Sequence, residues 1–332
     1  MMKRHPFIPD NYTLMLVVMV ILASILPAQG IFADALKAVT TGVIGLLFFL
    51  HGAKLSRQAV FSGLAHWRLH LLIFSSTFVL FPALGLALKP ILSPFVDEQL
   101  YIGILFLCML PATVQSSIAL TAIARGNVPA AVCSASGSTL IGIFITPFLV
   151  NWLVTSTGGA SSQWDAVGRI MLQLMLPFLV GHLSRPLLLP LLQKSGSLVT
   201  LVDRSSILLV VYAAFSSAVI AGIWQQVSWP TLLGLVVVCV VLLTIALFLT
   251  GWAARRMKLS REDQITVAFC ASQKSLASGI PMAQVLFTAS TVGMMVLPLM
   301  LFHQIQLMAC SVLAQRWAKS TDSTSENLSP AK

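Results

Sequence analysis

The residues able to do chemistry in this chain gather in Phe269-Cys270-Ala271-Ser272-Gln273-Lys274-Ser275-Leu276-Ala277-Ser278-Gly279-Ile280-Pro281. The stretch lies inside an apolar run, yet it holds hydroxyls, an amide, a thiol and one ammonium. A cation at membrane depth costs roughly 2.5–3.5 kcal/mol or more, so Lys274 marks a functional site by default. Gly279 and Pro281 weaken the helix there and free backbone groups that must face protein or a watery cavity. Three roles stand open for the lysine. It can carry a proton, charged when facing one side and neutral when facing the other. It can form part of an organic-anion site. Or it can stay charged and tie a helix break together through hydrogen bonds to Gln115, Ser116 and carbonyls.

An echo of the stretch lies earlier in the chain. Gln115-Ser116-Ser117-Ile118-Ala119 aligns with Gln273-Lys274-Ser275-Leu276-Ala277 at an offset of 158 residues. Pro111 begins the first copy and Pro281 ends the second. If two broken helices cross at mid-membrane, Thr113, Gln115, Ser116 and Ser117 approach Ser272, Gln273, Lys274 and Ser275. Half-helix N-termini there attract anions, and unwound carbonyls attract cations. Ser134, Ser138 and Gly142 recur every four residues, a small-residue face for close packing whose hydroxyls can also line the site. Asn127 is placed to cap the helix that follows it. His303, Gln304 and Gln306 face the protein interior, with His303 a second candidate titrating group. Ser75-Ser76-Thr77 forms a polar notch near the same region, and His51 and His182 read as interfacial. Cys270 reads as an inert buried thiol. No metal-hydrolase, nucleophile-elbow or P-loop motif is present, which argues against an enzyme.

The elements that must position these residues follow from composition. The 332 residues are 57% hydrophobic and 9% charged, with mean hydropathy +0.92, the profile of an all-α polytopic membrane protein embedded in a lipid bilayer. Ten spans are expected: 12–27, 38–53, 69–88, 100–124, 128–154, 167–182, 205–225, 232–254, 264–287 and 290–312. Under this arrangement 16 of the 20 Lys and Arg residues fall on one side, which places both termini in the cytoplasm of a bacterial inner membrane. The net charge of +10 therefore reflects cytoplasmic loops facing anionic lipid and gives no reason to expect nucleic acid. The five cysteines lie in apolar segments, with no disulfide framework. Residues 1–160 read as a first five-helix repeat, 161–319 as a second, inverted one, and 320–332 as a disordered cytoplasmic tail.

At these residues the chain resembles the bile acid:sodium symporter superfamily, and within it the SBF-like branch. The matching pieces are Leu110-Pro111-Ala112-Thr113-Val114-Gln115-Ser116-Ser117, Gly126-Asn127, Ile141-Gly142-Ile143-Phe144-Ile145-Thr146-Pro147 and the Phe269–Pro281 motif. The resemblance implies ten helices in two inverted repeats with crossing broken helices four and nine. Spans three to five and eight to ten would form a core domain, and spans one, two, six and seven a panel. It also implies transport of a small organic anion, such as a bile acid, another carboxylate or a sulfoconjugate. The sequence departs from the sodium-coupled members, in which a Glu and a Gln-Asn pair help to hold sodium. Cys270 stands at the Glu position and Lys274-Ser275 at the Gln-Asn positions. All ten acidic residues sit at span ends, loops or tails. A sodium ion beside Lys274 would be repelled strongly in a low dielectric, so the ammonium is expected to occupy the sodium's place. No cofactor or metal is expected, and Na⁺ or H⁺ remains as coupling ion. The alternatives are a cation/proton exchanger and a non-transporting regulatory membrane protein.

Overall fold

The computed structural model describes residues 11–54, 66–92, 96–156, 164–194, 196–222, 225, 227–288 and 290–326. Their regular elements are all helical: α1 (Asn11–Ile25), α2 (Ile31–Lys54), α3 (Trp67–Leu92), α4 (Glu98–Met109), α5 (Gln115–Ile123) and α6 (Val128–Ser156), then α7 (Trp164–Lys194), α8 (Gly196–Ile220), α9 (Trp229–Arg256), α10 (Arg261–Ser272), α11 (Leu276–Leu286) and α12 (Val292–Glu326). Among the described residues, five helices are long and apolar enough to cross a membrane: α2, α3, Val128–Leu153 of α6, α9 and Val292–Lys319 of α12. The spans expected at 100–124 and 264–287 are not continuous helices. Each is a pair of shorter helices, α4 with α5 and α10 with α11, joined by an unwound stretch. The junction expected near residue 160 lies outside the described residues. The tail expected from residue 320 starts as helix, because α12 runs on to Glu326, and residues 327–332 lie outside the described ones.

Each irregularity has a local cause. Pro111 has no N–H to continue α4, and the residue before a proline is pushed out of the helical region. Leu110 is accordingly extended, at φ −75° and ψ 152°. In α3, residues Ser76–Leu80 form one π-helical turn in which the Phe81 N–H bonds to the Ser76 carbonyl. Continuing that register would require an N–H from residue 82, which is Pro82. The Thr77 carbonyl is thereby left without a backbone donor. The second break differs from the sequence reading. It falls at Gln273–Ser275, upstream of Gly279 and Pro281, which both lie inside α11. Ser275 restarts the helix as N-cap, its side chain accepting from the Ser278 N–H at 3.2 Å. Gly279 serves close packing instead: a Cβ there would sit 2.6 Å from methyl carbons of Leu110 and Leu299.

The helices pack as two groups. α2 lies along α7 and against α8, and α1 lies along α8. The other group is α3, α4, α5, α6, α9, α10, α11 and α12, with α12 against α4, α9, α11 and α5, and α10 against α9, α3, α5 and α6. α8 reaches across to α11 and α12, and α7 to α6 and α11. Within the first group α2 and α7 touch backbone to backbone. A Cβ on Gly52 would lie 2.0 Å from the Phe178 carbonyl oxygen, and one on Gly181 would lie 2.0 Å from that of Phe49. Overpacking of this kind costs about 1–3 kcal/mol. Gly52→Ala and Gly181→Ala should each lower the thermal unfolding midpoint of the purified protein, whereas Gly42→Ala and Gly45→Ala, with nothing within 4 Å, should leave it unchanged.

Candidate functional site

The centre of the molecule is the Lys274 ammonium. Its Nζ donates to the carbonyls of Thr77 at 2.8 Å, Cys108 at 3.0 Å and Leu110 at 2.8 Å, and the side chain is fully buried. All three acceptors are carbonyls that their own helices leave unused. Thr77 is stranded by the π turn and Pro82. Cys108 and Leu110 end α4, where Pro111 stops the hydrogen-bond ladder. Three acceptors match the three N–H donors of an ammonium. The Phe81 ring lies on a further side, its centroid 4.2 Å from Nζ. Four partners, drawn from α3 and the end of α4, thus surround a cation carried by the break between α10 and α11.

The two unwound stretches are stitched to each other and to the helices that follow them. The Ser275 N–H donates to the Pro111 carbonyl at 2.9 Å. Gln273 Oε1 accepts from Thr113 at 2.6 Å, Ser116 at 2.8 Å and Ser117 at 3.2 Å. Gln306 of α12 grips both sides of Lys274: its Oε1 accepts from the Lys274 N–H at 2.8 Å, and its Nε2 donates to the Lys274 carbonyl at 2.9 Å. On the other side α6 presents a stripe every four residues. Ser134 meets His70 Nδ1 at 2.8 Å, and Ser138 accepts from the Ala112 N–H at 2.9 Å. Gly142 lets Pro111 approach, since a Cβ there would be 2.7 Å away, and Thr146 donates to the Met109 carbonyl at 2.8 Å. Ser76 donates to the Ala271 carbonyl at 3.1 Å, so the polar notch of α3 touches the second break as well.

Beside this crossing lies a cavity of about 610 Å³. The N-terminal ends of α5 (Thr113, Val114, Gln115, Ser116) and α11 (Ser275, Leu276, Ala277, Ser278) both line it. α6 contributes Val132, Ser136 and Thr139, and α12 contributes His303 and Leu307. The facing group supplies His51 and Lys54 from α2, Phe178 from α7, and Arg204 and Ile207 from α8. Among the described residues, none that lines the cavity is acidic. Two helix N-termini and the side chains of Lys54 and Arg204 around one space form an environment that favours an anion.

Of the sequence candidates, Thr113, Gln115, Ser116, Ser275 and His303 line the cavity. Ser117, Gln273 and Lys274 lie behind it in the stitched crossing, fully buried. Ser134 and Ser138 belong to the docking stripe of α6, not to the cavity wall. Ser272 bonds back to the Ala268 carbonyl, and Cys270 packs among Leu69, Ile73 and Ala131. Asn127 caps α6 by accepting from the Ala130 N–H at 3.1 Å, and it donates to Asp263 at 2.8 Å. The lysine is tied by carbonyls, one of the three roles open from the sequence, but its bonds go to Thr77, Cys108 and Leu110 in place of Gln115 and Ser116. Sequence reasoning missed His51, Lys54 and Arg204 as cavity residues, because near the ends of their spans they read as interfacial or loop groups. It also missed Ser136 and Thr139. With Val132 they form an i, i+4, i+7 set, a helix face that the sequence does show.

Lys274→Met would leave three buried carbonyls without donors, and each costs about 1–3 kcal/mol. The variant should unfold roughly 5–10 °C below wild type in a thermal scan of the purified protein. An equal midpoint would mean that the ammonium does not hold these helices together.

The chain is similar to known proteins over nearly its whole length. The profile of the SBF-like CPA transporter family matches residues 10–319. An uncharacterized protein of Pseudomonas aeruginosa is 58% identical over 330 residues, covering 99% of both chains. The putative symporter YfeH of Escherichia coli is 54% identical over 316 residues, covering 94% of each. The sodium/bile acid cotransporter 7 of Danio rerio is 25% identical over 305 residues, covering 90% of each. With its apolar helices, its paired helix breaks and these relatives, the chain is a multi-pass membrane protein that belongs to the SBF-like CPA transporter family and is a secondary transporter.

Proposed function

We propose that the protein carries small organic anions, of the bile-acid-like, carboxylate or sulfoconjugate kind, by alternating access, and that it needs no sodium ion at the crossing. The observation that carries the reading is the cavity into which two half-helices open their N-termini, opposite Lys54 and Arg204. Backbone N–H groups and the helix dipoles at such ends attract negative charge. The cavity's apolar share, from Phe178, Ile118, Ile207 and Leu307, suits the body of an amphipathic anion.

The two packing groups support the mechanism. The cavity lies where α2, α7 and α8 face α5, α6, α11 and α12. Rocking one group against the other would open it to each side in turn. Ten spans in two inverted repeats, with both termini cytoplasmic in a bacterial inner membrane, form the topology in which this motion works. Two relatives bear the words symporter and cotransporter in their names, one of them with sodium. In this chain the Lys274 ammonium fills a nest of three carbonyls that would otherwise suit a cation, so a tethered charge takes the place of a diffusible one.

The test is uptake into proteoliposomes of labelled taurocholate, a steroid sulfate, and short mono- and dicarboxylates, with sodium and proton gradients imposed separately. Wild type should take up at least one of them at the same rate when potassium replaces sodium. Strict sodium dependence would overturn the reading. Arg204→Gln and Lys54→Gln should each raise KM about tenfold for the anion carried, the worth of one charge-assisted hydrogen bond.

A further inference from the structure

The second unwound stretch is held by one side chain whose orientation the backbone fixes. Because Gln306 Oε1 receives the Lys274 N–H and Gln306 Nε2 supplies the Lys274 carbonyl, the amide cannot be reversed without losing both bonds. Nε2 has a second N–H, and His303 Nδ1 lies 2.9 Å from it. In this arrangement Nδ1 must be an acceptor, so the ring is neutral with its proton on Nε2. The same Nδ1 lies 3.4 Å from the Lys274 carbonyl. If a proton binds Nδ1, two donors face each other across the 2.9 Å contact, and the Lys274 carbonyl at 3.4 Å is an acceptor within reach of the new N–H. The imidazole is thus poised between two hydrogen-bond states. One leaves the Gln306 clamp intact, and the other competes with it for the Lys274 carbonyl.

His303 also lines the anion cavity. Among the described residues, the ionisable groups that share the cavity with it are His51 and Lys54 of α2 and Arg204 of α8, while α5, α6, α7 and α11 line it with hydroxyls, an amide and apolar groups. The helices packed on α12 bring Tyr101 and Cys108 from α4 and Cys239 from α9, and α12 itself carries Cys310. The Lys274 ammonium lies behind the break, bonded to its three carbonyls. An anion in the cavity makes protonation of His303 easier than it is in the empty cavity, and an anion binds better once the ring is charged. Such coupling is reciprocal by thermodynamic necessity. A histidine suits this task because it exchanges protons near neutral pH.

The geometry points to His303 as the proton-binding site of an anion–proton symport, with the exchange of Nδ1 between Gln306 and the Lys274 carbonyl as the step that loosens the crossing. The proposal rests on the anion-transport reading and adds the coupling ion and the residue that holds it. A proton from the aqueous phase enters the cavity with the anion, binds Nδ1, and leaves from Nδ1 when the anion is released on the far side.

Two measurements test it. Ring-¹⁵N histidine NMR of the full-length protein in lipid nanodiscs, with His303→Gln as the assignment, reads the site without any anion. At about pH 8.5 the ring should carry its proton on Nε2, and at about pH 5.5 it should carry two. A ring that stays neutral throughout, or that holds its proton on Nδ1 at the higher pH, overturns the proposal. In proteoliposomes, labelled taurocholate and labelled succinate serve as probes, each measured as proton-driven uptake and as exchange against unlabelled anion. The ratio of driven uptake to exchange should fall about tenfold in His303→Gln, a typical strength for coupled sites. An unchanged ratio overturns the proton role while leaving anion transport standing. If wild type exchanges neither probe, the anion reading fails for both classes, and the NMR result alone then decides whether His303 binds the proton.

Discussion

The rest of the structure depends on one buried ammonium. Three carbonyls from two helices converge on Lys274 Nζ within 3.0 Å, and an aromatic face closes a further side. Burying a cation is unfavourable, and so is burying carbonyls without donors. Each cost is offset only when the two are brought together. The arrangement therefore fixes α3, α4 and the break between α10 and α11 relative to one another. The π turn of α3, the proline that ends α4 and the lysine in the second break are separate sequence features with one shared result.

That constraint explains why the crossing can be irregular without being loose. Unwound backbone inside a membrane protein must have its N–H and C=O groups satisfied within the protein. Side chains of the following helices take that role, Ser138 and Thr146 of α6 for the first break and Gln306 of α12 for the second. With the crossing anchored from behind, the N-terminal ends of α5 and α11 are left at the cavity surface. The positive ends of two short helices and the cations of α2 and α8 then face the same space. α6 serves both functions from two faces, docking through Ser134, Ser138, Gly142 and Thr146 and lining the cavity through Val132, Ser136 and Thr139.

The same geometry separates two kinds of charge. Lys274 is enclosed by protein and takes its acceptors from backbone. His303 lies at the cavity surface yet touches the clamp on the break through Gln306. The Lys274 amine and the His303 ring thus both converge on the second break. The relatives named as symporter or cotransporter match this chain over nearly their whole length.

Composition and pattern alone determined that the chain is helical and membrane-embedded, and they showed that polar residues interrupt its apolar runs around Lys274 and the Gln115 echo. Those properties are local: hydropathy sums over neighbouring residues, a proline breaks the helix that contains it, and a charge in an apolar run is visible in one dimension. The partners of that charge were not legible. Thr77, Cys108 and Leu110 act through backbone carbonyls, which every residue possesses, and they were selected only when Pro82, Pro111 and the packing of α3 against α4 left those carbonyls unpaired. The exact place of the second break was equally hidden. Gly279 and Pro281 mark a weak helix, but Gln306, 32 residues after Lys274, makes Gln273–Ser275 the stretch that unwinds. Tertiary structure also decided which polar residues face the cavity. It drew Lys54 and Arg204 in from apparent loop positions and left Gln273 and Ser138 behind the wall, because a side chain's surroundings are set by helices distant in sequence.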